Sequence, residues 1–418
     1  MLDEGGEAAL SAAVEVAEDV TVDVPVSILA DPVRIEVGRD RLGEMAQRTG
    51  LRRVDVVAWR DLDDPEAGGS ELHAHEVVRR WAEAGIEVSA WTSRVDGAAR
   101  IVRRDGYTIN RRAGRYAVFP RTALAGVRSK IGRADGLVEI WNGMPFFTPL
   151  WSRNPRVVFL HHVHGEMWKM VLPPRLAAVG HGIEHRVAPP FYRRTPIVTL
   201  SESAKLDIVH RLRMRANNIT VVPPGIDVKY SPGGRRDPEP LVVAVGRLAE
   251  VKQFDRFIEA MVMLKANQPT LRAVVVGEGH LRPELEARIA GHGATEWLTL
   301  PGRLDDDELL SLYRRAWIVG STSAREGWGM TLTEAAACGT PVVASRISGH
   351  QDAVVDGQSG FLVDGIEEFA AAAQSVIADP MLRRRLSQGA LRHAESLSWD
   401  ATAVATFHVL AREATRGG

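Results

Sequence analysis

Two pairs of residues carry the chemistry in this 418-residue chain. Glu326 and Glu334 stand eight positions apart in AREGWGMTLTEAAACGTPVVAS (residues 324–345), with Gly327 and Gly329 between them. Carboxylates in so apolar a segment need partners, because a buried charge left unpaired is costly. The second pair is cationic. In VAVGRLAEVKQFDRFIEA (243–260) Arg247 follows Gly246 at a strand end, and Lys252 comes five residues later, just before an amphipathic helix pattern. A guanidinium binds phosphate through two parallel hydrogen bonds and an ammonium adds a point charge, so the pair suits an anion.

The glycines around Trp328 precede a helix pattern from Met330 to Ala337, which stops at Cys338-Gly339 with Pro341 beyond. The amides of Gly329, Met330 and Thr331 are then first-turn donors without helical partners, and such helix starts bind phosphate. Glu326 lies before this helix and Glu334 one turn inside it, so both can border one ligand. Vicinal hydroxyl groups suit them, since a carboxylate accepts several hydrogen bonds. A ligand with a diphosphate and two sugars satisfies every one of these groups: a nucleotide sugar.

Other strand ends are weaker signals. VVVGEGHLRPELE (274–286) places Gly277 and Gly279 after a strand but has Arg282 where a dinucleotide fingerprint needs its third glycine. The glycines are expected instead to allow a tight turn and close backbone approach to a ligand. VVFLHHVHGEMW (157–168) ends a strand on His161, His162 and His164. By periodicity alone, a histidine there is more often a satisfied core or surface group.

These groups need a scaffold, and the chain provides alternating strands and helices. RRVDVVAW (52–59) reads as a buried strand, residues 70–84 as an amphipathic helix and IEVSAWT (86–92) as the next strand, followed by VVFLHH (157–162), PIVTLS (196–201) and ITVVPPG (219–225). SPGGRRDPEP (231–240) interrupts the series, and LVVAVG, RAVVVG, WLTLPG, AWIVGS, PVVAS and GFLV form a second one. Apolar strands alternating with helices indicate parallel sheets covered on both faces. The expected fold class is α/β, two doubly wound Rossmann-like domains facing across a cleft, with ligand between the carboxyl ends of the strands. The boundaries read as an acidic extension (1–50), an N-terminal domain (51–230), a C-terminal domain (231–395) and a closing helix (396–418) that crosses back to the N-terminal domain.

Composition narrows the class. With 45% hydrophobic and 25% charged residues the chain can bury large cores. The apolar runs are strand-sized, far below the ~20 residues that cross a bilayer. The acidic N-terminus does not read as a secretory signal, and the single Cys338 cannot form an internal disulfide, so a cytoplasmic protein is expected. Residues 1–50 hold eleven Asp/Glu against four Arg, and a short helix near 7–18 with extended segments near 20–37 is expected there, without chemistry.

In its motifs the chain resembles the retaining glycosyltransferases of family 4, which have the glycosyltransferase-B fold. The resemblance rests on the spaced Glu326 and Glu334, on EAAACGTPVVAS and on GRLAEVK, supported by GGSELHAHEV, VTLSESAK, VVPPGID and GHQDAVVDGQSGFLV in the family's order, and covers about residues 53–395. It implies that Glu334 bonds the donor ribose hydroxyls and Glu326 contacts the transferred sugar. Arg247 and Lys252 resemble the pair that holds the diphosphate, with the Gly329, Met330 and Thr331 amides as a second cradle and Gly246 and Gly277 at the adjoining strand ends. Arg303 sits where family members contact the base through the backbone, and Gly68-Gly69 match the glycine loop beside donor phosphate and acceptor. The family's histidine after the strand fits His161 best, with His162 or His164 as alternatives. The donor is a substrate, no cofactor is implied, and retention is expected by front-face attack with the leaving phosphate taking the acceptor's proton.

Two acidic strings are candidates for a metal site. DLDD (61–64) lies in the loop before the glycine turn, and DDDEL (305–309) reads as an N-cap with first-turn acids, so no metal is expected. Residues 100–133 hold ten Arg/Lys and one acid, Asp105. Arg121, Arg128, Lys130 and Arg133 alongside Leu124, Val127 and Ile131 could form a basic amphipathic face for an anionic bilayer surface, and the acceptor (glycan, lipid or small molecule) is expected to be lipid-linked or anionic. No nucleic-acid motif is present. Rival readings are a sugar epimerase or phosphorylase of the same fold, or a non-catalytic nucleotide-sugar sensor. Donor base and sugar stay open.

Overall fold

The computed structural model describes residues 33–416 apart from 129, 130, 132 and 133, with side chains from residue 40 onward except at 171. Much of the acidic extension, Lys130 and Arg133 therefore lie outside the described residues. Two sheets organise the chain. The first contains β1 (Arg53–Val57), β2 (Glu87–Ser93), β3 (Ile101–Arg104), β4 (Tyr107–Ala113), β5 (Gly136–Ile140), β6 (Arg156–Phe159), β7 (Ile197–Thr199) and β8 (Ile219–Val221) in the order β3-β4-β2-β1-β5-β6-β7-β8. The second contains β9 (Leu241–Val245), β10 (Arg272–Val276), β11 (Leu298–Gly302), β12 (Ile318–Ser321), β13 (Val342–Ser345) and β14 (Gly360–Val363) in the order β11-β10-β9-β12-β13-β14.

Every pairing is parallel except β3 with β4, as two-sided burial of runs such as GLVEI and LVVAV requires. The antiparallel edge is not anticipated from the sequence, where its arginines read as charge alone. Its signal is Asp105-Gly106, both at positive φ (44° and 86°), the dipeptide that closes a tight hairpin. In each sheet the strand order reverses once, between β1 and β5 and between β9 and β12. The loops leaving those strands carry Gly68 and Gly69, Asn142, Arg247 and Lys252, and Glu326. Among the described residues no helix is long and apolar enough to cross a membrane.

Eight helices build the cleft, its supports and the crossings between the domains: α1 (Val33–Thr49), α2 (Gly69–Glu83), α3 (Glu202–Leu212), α4 (Phe254–Asn267), α5 (Asp306–Arg315), α6 (Met330–Ala337), α7 (Pro380–Ala394) and α8 (Trp399–Arg416). Residues 33–37 are helical, not extended, and Leu42, Met45 and Ala46 of α1 join one core with Val77 and Trp81 of α2 and Phe407 and Leu410 of α8. So α8, at the far end of the chain, packs on the first sheet's domain. The chain crosses between the domains twice, and the crossings touch: Ile226 bridges Ser398, Thr402 Oγ1 donates to the Pro223 carbonyl at 2.7 Å, and a Cβ on Gly225 would lie 2.0 Å from the Trp399 nitrogen.

The acidic strings have structural partners. Asp61 and Asp63 accept from Arg111, a fully buried arginine of β4, and Arg104 also donates to Asp63. Asp305 caps α5: its Oδ1 accepts from the Glu308 amide at 2.8 Å and Glu308 Oε2 from the Asp305 amide at 3.1 Å.

Candidate active site

The cationic pair and the glycine loop meet across the cleft. Gly68 is the N-cap of α2, and Glu71 Oε2 accepts from the Gly68 amide at 2.8 Å and from Ser70 Oγ at 2.9 Å. A Cβ on Gly68 would lie 3.7 Å from Arg247 Nε, and one on Gly69 would lie 3.4 Å from Met330 Sδ. Two residues of the second domain therefore stand directly over the glycine turn of the first. Arg247 forms no ion pair of its own among the described residues; against burial, which raises the Glu66 pKa, Arg115 and then Arg60 hold that carboxyl below the usual carboxylate range, and the Arg247 charge adds the smallest share.

Lys252 pairs with Glu326, and Ser323 Oγ donates to the same carboxylate oxygen at 2.8 Å. Burial alone would raise the Glu326 pKa; the Lys252 charge and the His350 contribution overcome it, and the pKa falls to about 2. Glu334 differs. The Tyr313 hydroxyl donates to it at 3.0 Å, and burial pushes its pKa up to about 7 against that hydrogen bond and the Lys229 charge. Two glutamates eight residues apart thus meet opposite fields: one is held ionised by a cation, the other is poised near neutrality.

Gly329 is the N-cap of α6 with φ +115°, a left-handed conformation that favours glycine, and α6 begins at Met330 as its sequence predicts. His350 lies beneath this turn: a Cβ on Gly329 would meet its Cδ2 at 2.9 Å. The His350 Nδ1 contacts the Ser345 carbonyl at 2.9 Å while Nε2 is buried without a partner. Nothing in the sequence singles out His350, because the residues it supports are close only in space.

Gly277 (φ +147°) has a structural reason to be glycine. Its missing side chain makes room for a neighbouring loop, since a Cβ there would lie 1.9 Å from the Gly246 carbonyl oxygen. Gly279 likewise faces the Leu248 carbonyl, at 2.2 Å. The close backbone approach is loop to loop, and it fixes where Arg247 leaves β9. Arg303, after β11, is exposed, with no side-chain partner among the described residues.

The three histidines separate by surroundings. His161 Nε2 lies 3.1 Å from His73 Nδ1 of α2, its Nδ1 is buried without a partner, and its carbonyl oxygen would be 2.7 Å from a Cβ on Gly327. It therefore sits at the domain junction against the residue that follows Glu326, and burial holds it neutral. His162 shares the field of Arg325, Glu326, Arg247 and Lys252, and burial followed by the Arg325 charge brings its pKa to about 4. His164 is held from behind: Glu184, buried and absent from any sequence expectation, accepts from the His164 and Gly165 amides at 2.8 and 3.1 Å and from Trp168 Nε1 at 2.9 Å.

Two motifs that look merely supportive in sequence bond to each other across the domains. Asp352 accepts from the Glu202 amide at 2.8 Å, the Ser203 amide at 3.3 Å and the Ser203 hydroxyl. The Gly349 amide donates to Ser203 Oγ at 2.8 Å, Ser201 Oγ to the Gly327 carbonyl at 3.3 Å, and Arg325 pairs with Asp207 at 3.4 Å. The loop that bears Glu326 is thereby tied to the start of α3. Asp352→Ala removes a cap and an interdomain tie together; about 1 kcal/mol of stability should be lost, read as a lower denaturant midpoint at unchanged slope.

The basic face is smaller than expected. Arg121, Arg128, Leu124 (47%) and Val127 (68%) are exposed, but Ile131 is only 3% exposed and packs inward with Val57 and Phe146. Ile131 cannot join a membrane-facing stripe, since its apolar surface is already buried in the domain.

Comparisons with known proteins agree with this architecture. Residues 67–230 match the family described as Glycosyltransferase Family 4, and residues 229–393 match Glycosyl transferases group 1. The chain is 34% identical to a D-inositol 3-phosphate glycosyltransferase of Streptomyces bingchenggensis, over 90% of this chain and 91% of that protein. A protein of the same name from Kribbella flavida is 27% identical over 85% and 95% of the two chains. Among solved structures, sucrose-phosphate synthase from Thermosynechococcus elongatus superposes with a TM-score of 0.73 at 19% identity, over 88% of this chain and 100% of that one. WaaG, a glycosyltransferase involved in lipopolysaccharide biosynthesis, gives 0.69 at 17% identity over 85% and 99%. Anabaena HepE in complex with UDP and glucose gives 0.67 at 17% over 86% and 100%. At such identities the structures show the fold alone.

Proposed function

We propose, since this chain belongs to glycosyltransferase family 4, that its cleft moves a hexose from a nucleotide-diphosphate sugar to a hydroxyl of an anionic acceptor with retention at the anomeric carbon. The observation that carries this reading is the approach of Arg247 and Met330 to Gly68 and Gly69, with Lys252 and Glu326 paired beside them. A diphosphate placed there meets two cations and the first amides of α6.

In the reaction the acceptor oxygen bonds to the anomeric carbon as the carbon–phosphate oxygen bond breaks, and the departing phosphate takes the acceptor's proton. Negative charge grows on that phosphate, and Arg247 with Lys252 are placed to stabilise it; such preorganised electrostatics is commonly the largest catalytic term. Lys252 must then share its charge between Glu326 and phosphate. Glu326, ionised at every working pH, is suited to accept from sugar hydroxyls and to favour positive charge at the anomeric centre. The unpartnered Nδ1 of His161 offers a further neutral partner for a sugar hydroxyl. No resident metal is assigned, because the cations serve the diphosphate and Asp61 and Asp63 are engaged by Arg111 and Arg104. Activity surviving EDTA is the expected result, and loss reversed by magnesium would contradict it.

For the acceptor, the curated relatives' name makes D-inositol 3-phosphate the first to try. Exposed Leu124 and Val127 beside Arg121 and Arg128 support peripheral contact with an anionic bilayer, read by vesicle sedimentation at low salt. A thermal-shift screen of UDP- and GDP-sugars tests the donor, since a ligand bound only by the folded state raises its melting temperature. A flat response to all of them would refute the reading.

Glu334 gives the reading a pH signature. It accepts ribose hydroxyls as a carboxylate, and its pKa is about 7. Donor affinity should therefore rise with pH through 7 and fall about tenfold per unit below it, with Glu334→Gln flattening the profile in titration calorimetry. The same shift acts on the fold. A carboxyl raised from 4.5 to about 7 contributes stability fully present below pH 4.5 and lost as pH climbs through 7.

A further inference from the structure

A second concave site lies at the opposite end of the second sheet from the cleft. It is a pocket of about 360 Å³ between the segment before β9, the ends of α5 and α6, and the first turns of α7, a size in the ~300–1,000 Å³ range of small-molecule sites. Four arginines line it, Arg236, Arg314, Arg383 and Arg384, and none has a carboxylate partner among the described residues. Arg236 donates to the Ala316 and Gly339 carbonyls and to Thr340 and Ser387 hydroxyls; Arg314 donates to Ser231; Arg383 donates to the Val376 and Ile377 carbonyls with its guanidinium over the Trp317 ring at 3.9 Å. Arg384 is exposed and unengaged among the described residues. Asp379, whose charge reaches Arg383, is occupied by the Met381 and Leu382 amides at 2.8 and 3.1 Å.

Backbone carbonyls hold these side chains in place but do not neutralise them. Burial, and after it the Arg383 charge, lowers the Arg236 pKa, the sign of cations crowded without a counter-ion. Elsewhere in the chain, buried and partly buried arginines such as Arg60, Arg80, Arg111 and Arg282 do find carboxylates. A monocarboxylate would offset one charge in four; a phosphate monoester carries up to two and matches the guanidinium fork. We infer that this pocket binds a soluble phosphate-bearing small molecule, outside the cleft and independently of the donor. Its floor includes Cys338 and Gly339, so it adjoins the far end of the eight-residue α6, about 12 Å along the helix from Met330.

Inorganic phosphate is the probe, titrated calorimetrically at constant ionic strength set with chloride, against the wild type, Arg384→Glu, Arg314→Gln and the cleft variant Arg247→Ala. The expected result is a saturable phosphate site that persists in Arg247→Ala as in wild type and is at least tenfold weaker in Arg384→Glu and in Arg314→Gln. Arg384 is exposed, so its variant should keep the wild-type melting temperature without phosphate and its basal transfer. Phosphate affinity unchanged in both pocket variants, or a response abolished by Arg247→Ala, would overturn the site. So would silence toward phosphate combined with Arg384-dependent binding to phosphatidylglycerol vesicles, which would mark a membrane surface instead. Failure of the donor screen leaves this titration unaffected, so the two readings stand or fall separately.

Discussion

Arg247→Ala is expected to lower turnover by about 10²- to 10³-fold, equivalent to about 3 to 4 kcal/mol of transition-state stabilisation, with the melting temperature near that of the wild type. The asymmetry arises from its surroundings. Arg247 makes no ion pair among the described residues, so its removal strands no buried carboxylate, whereas Lys252→Ala would leave Glu326 alone in the interior and confuse a catalytic loss with a folding defect. Its guanidinium lies over Gly68, where a diphosphate would be clasped between domains. The measurement is steady-state kinetics with donor varied, beside a thermal melt. A fall in both kcat and kcat/KM supports transition-state binding; near wild-type turnover would remove Arg247 from the chemistry.

Gly277→Ala should act through the backbone instead. A methyl group would have to occupy a point 1.9 Å from the Gly246 carbonyl oxygen, on a residue whose φ of +147° already disfavours any side chain. Strain and overpacking together should cost about 3 kcal/mol or more. The loop from Gly246 to Lys252 would be pushed from its place, so donor affinity should collapse along with the melting temperature. Gly97→Ala is the control: its φ is also positive, at +74°, but a Cβ there meets nothing within 4 Å. If both substitutions prove equally mild, close packing of the two loops is not what demands glycine at 277.

Much of this architecture is legible in the residues alone. The parallel strands announce themselves because burial on both faces leaves uninterrupted apolar runs, and α6 because Gly329 and Gly339 bracket it. Arg247, Lys252, Glu326 and Glu334 stand out because charged groups beside glycines at strand ends have few structural uses. The hidden part depends on distance in space. No local pattern links Asp352 to Ser203 some 150 positions earlier, Glu184 to the histidine loop, or His350 to the turn above it. The Asp105-Gly106 hairpin has a local signal, but the net charge around it draws attention away. Among the histidines, spacing cannot say that His161 turns toward His73 while His162 shares the field of the charged cluster, since consecutive residues at a strand end point to opposite sides.

The two crossings between the domains lie side by side, joined at Ile226 and Ser398. In genealogical terms the second domain is a cassette: both of its splice points sit at one spot, so a recombination event or a deliberate graft could replace it whole while the remaining half keeps its own core, including α8. Whatever each half contributes to the cleft would then be inherited separately, and two such traits could drift apart at different rates within one lineage.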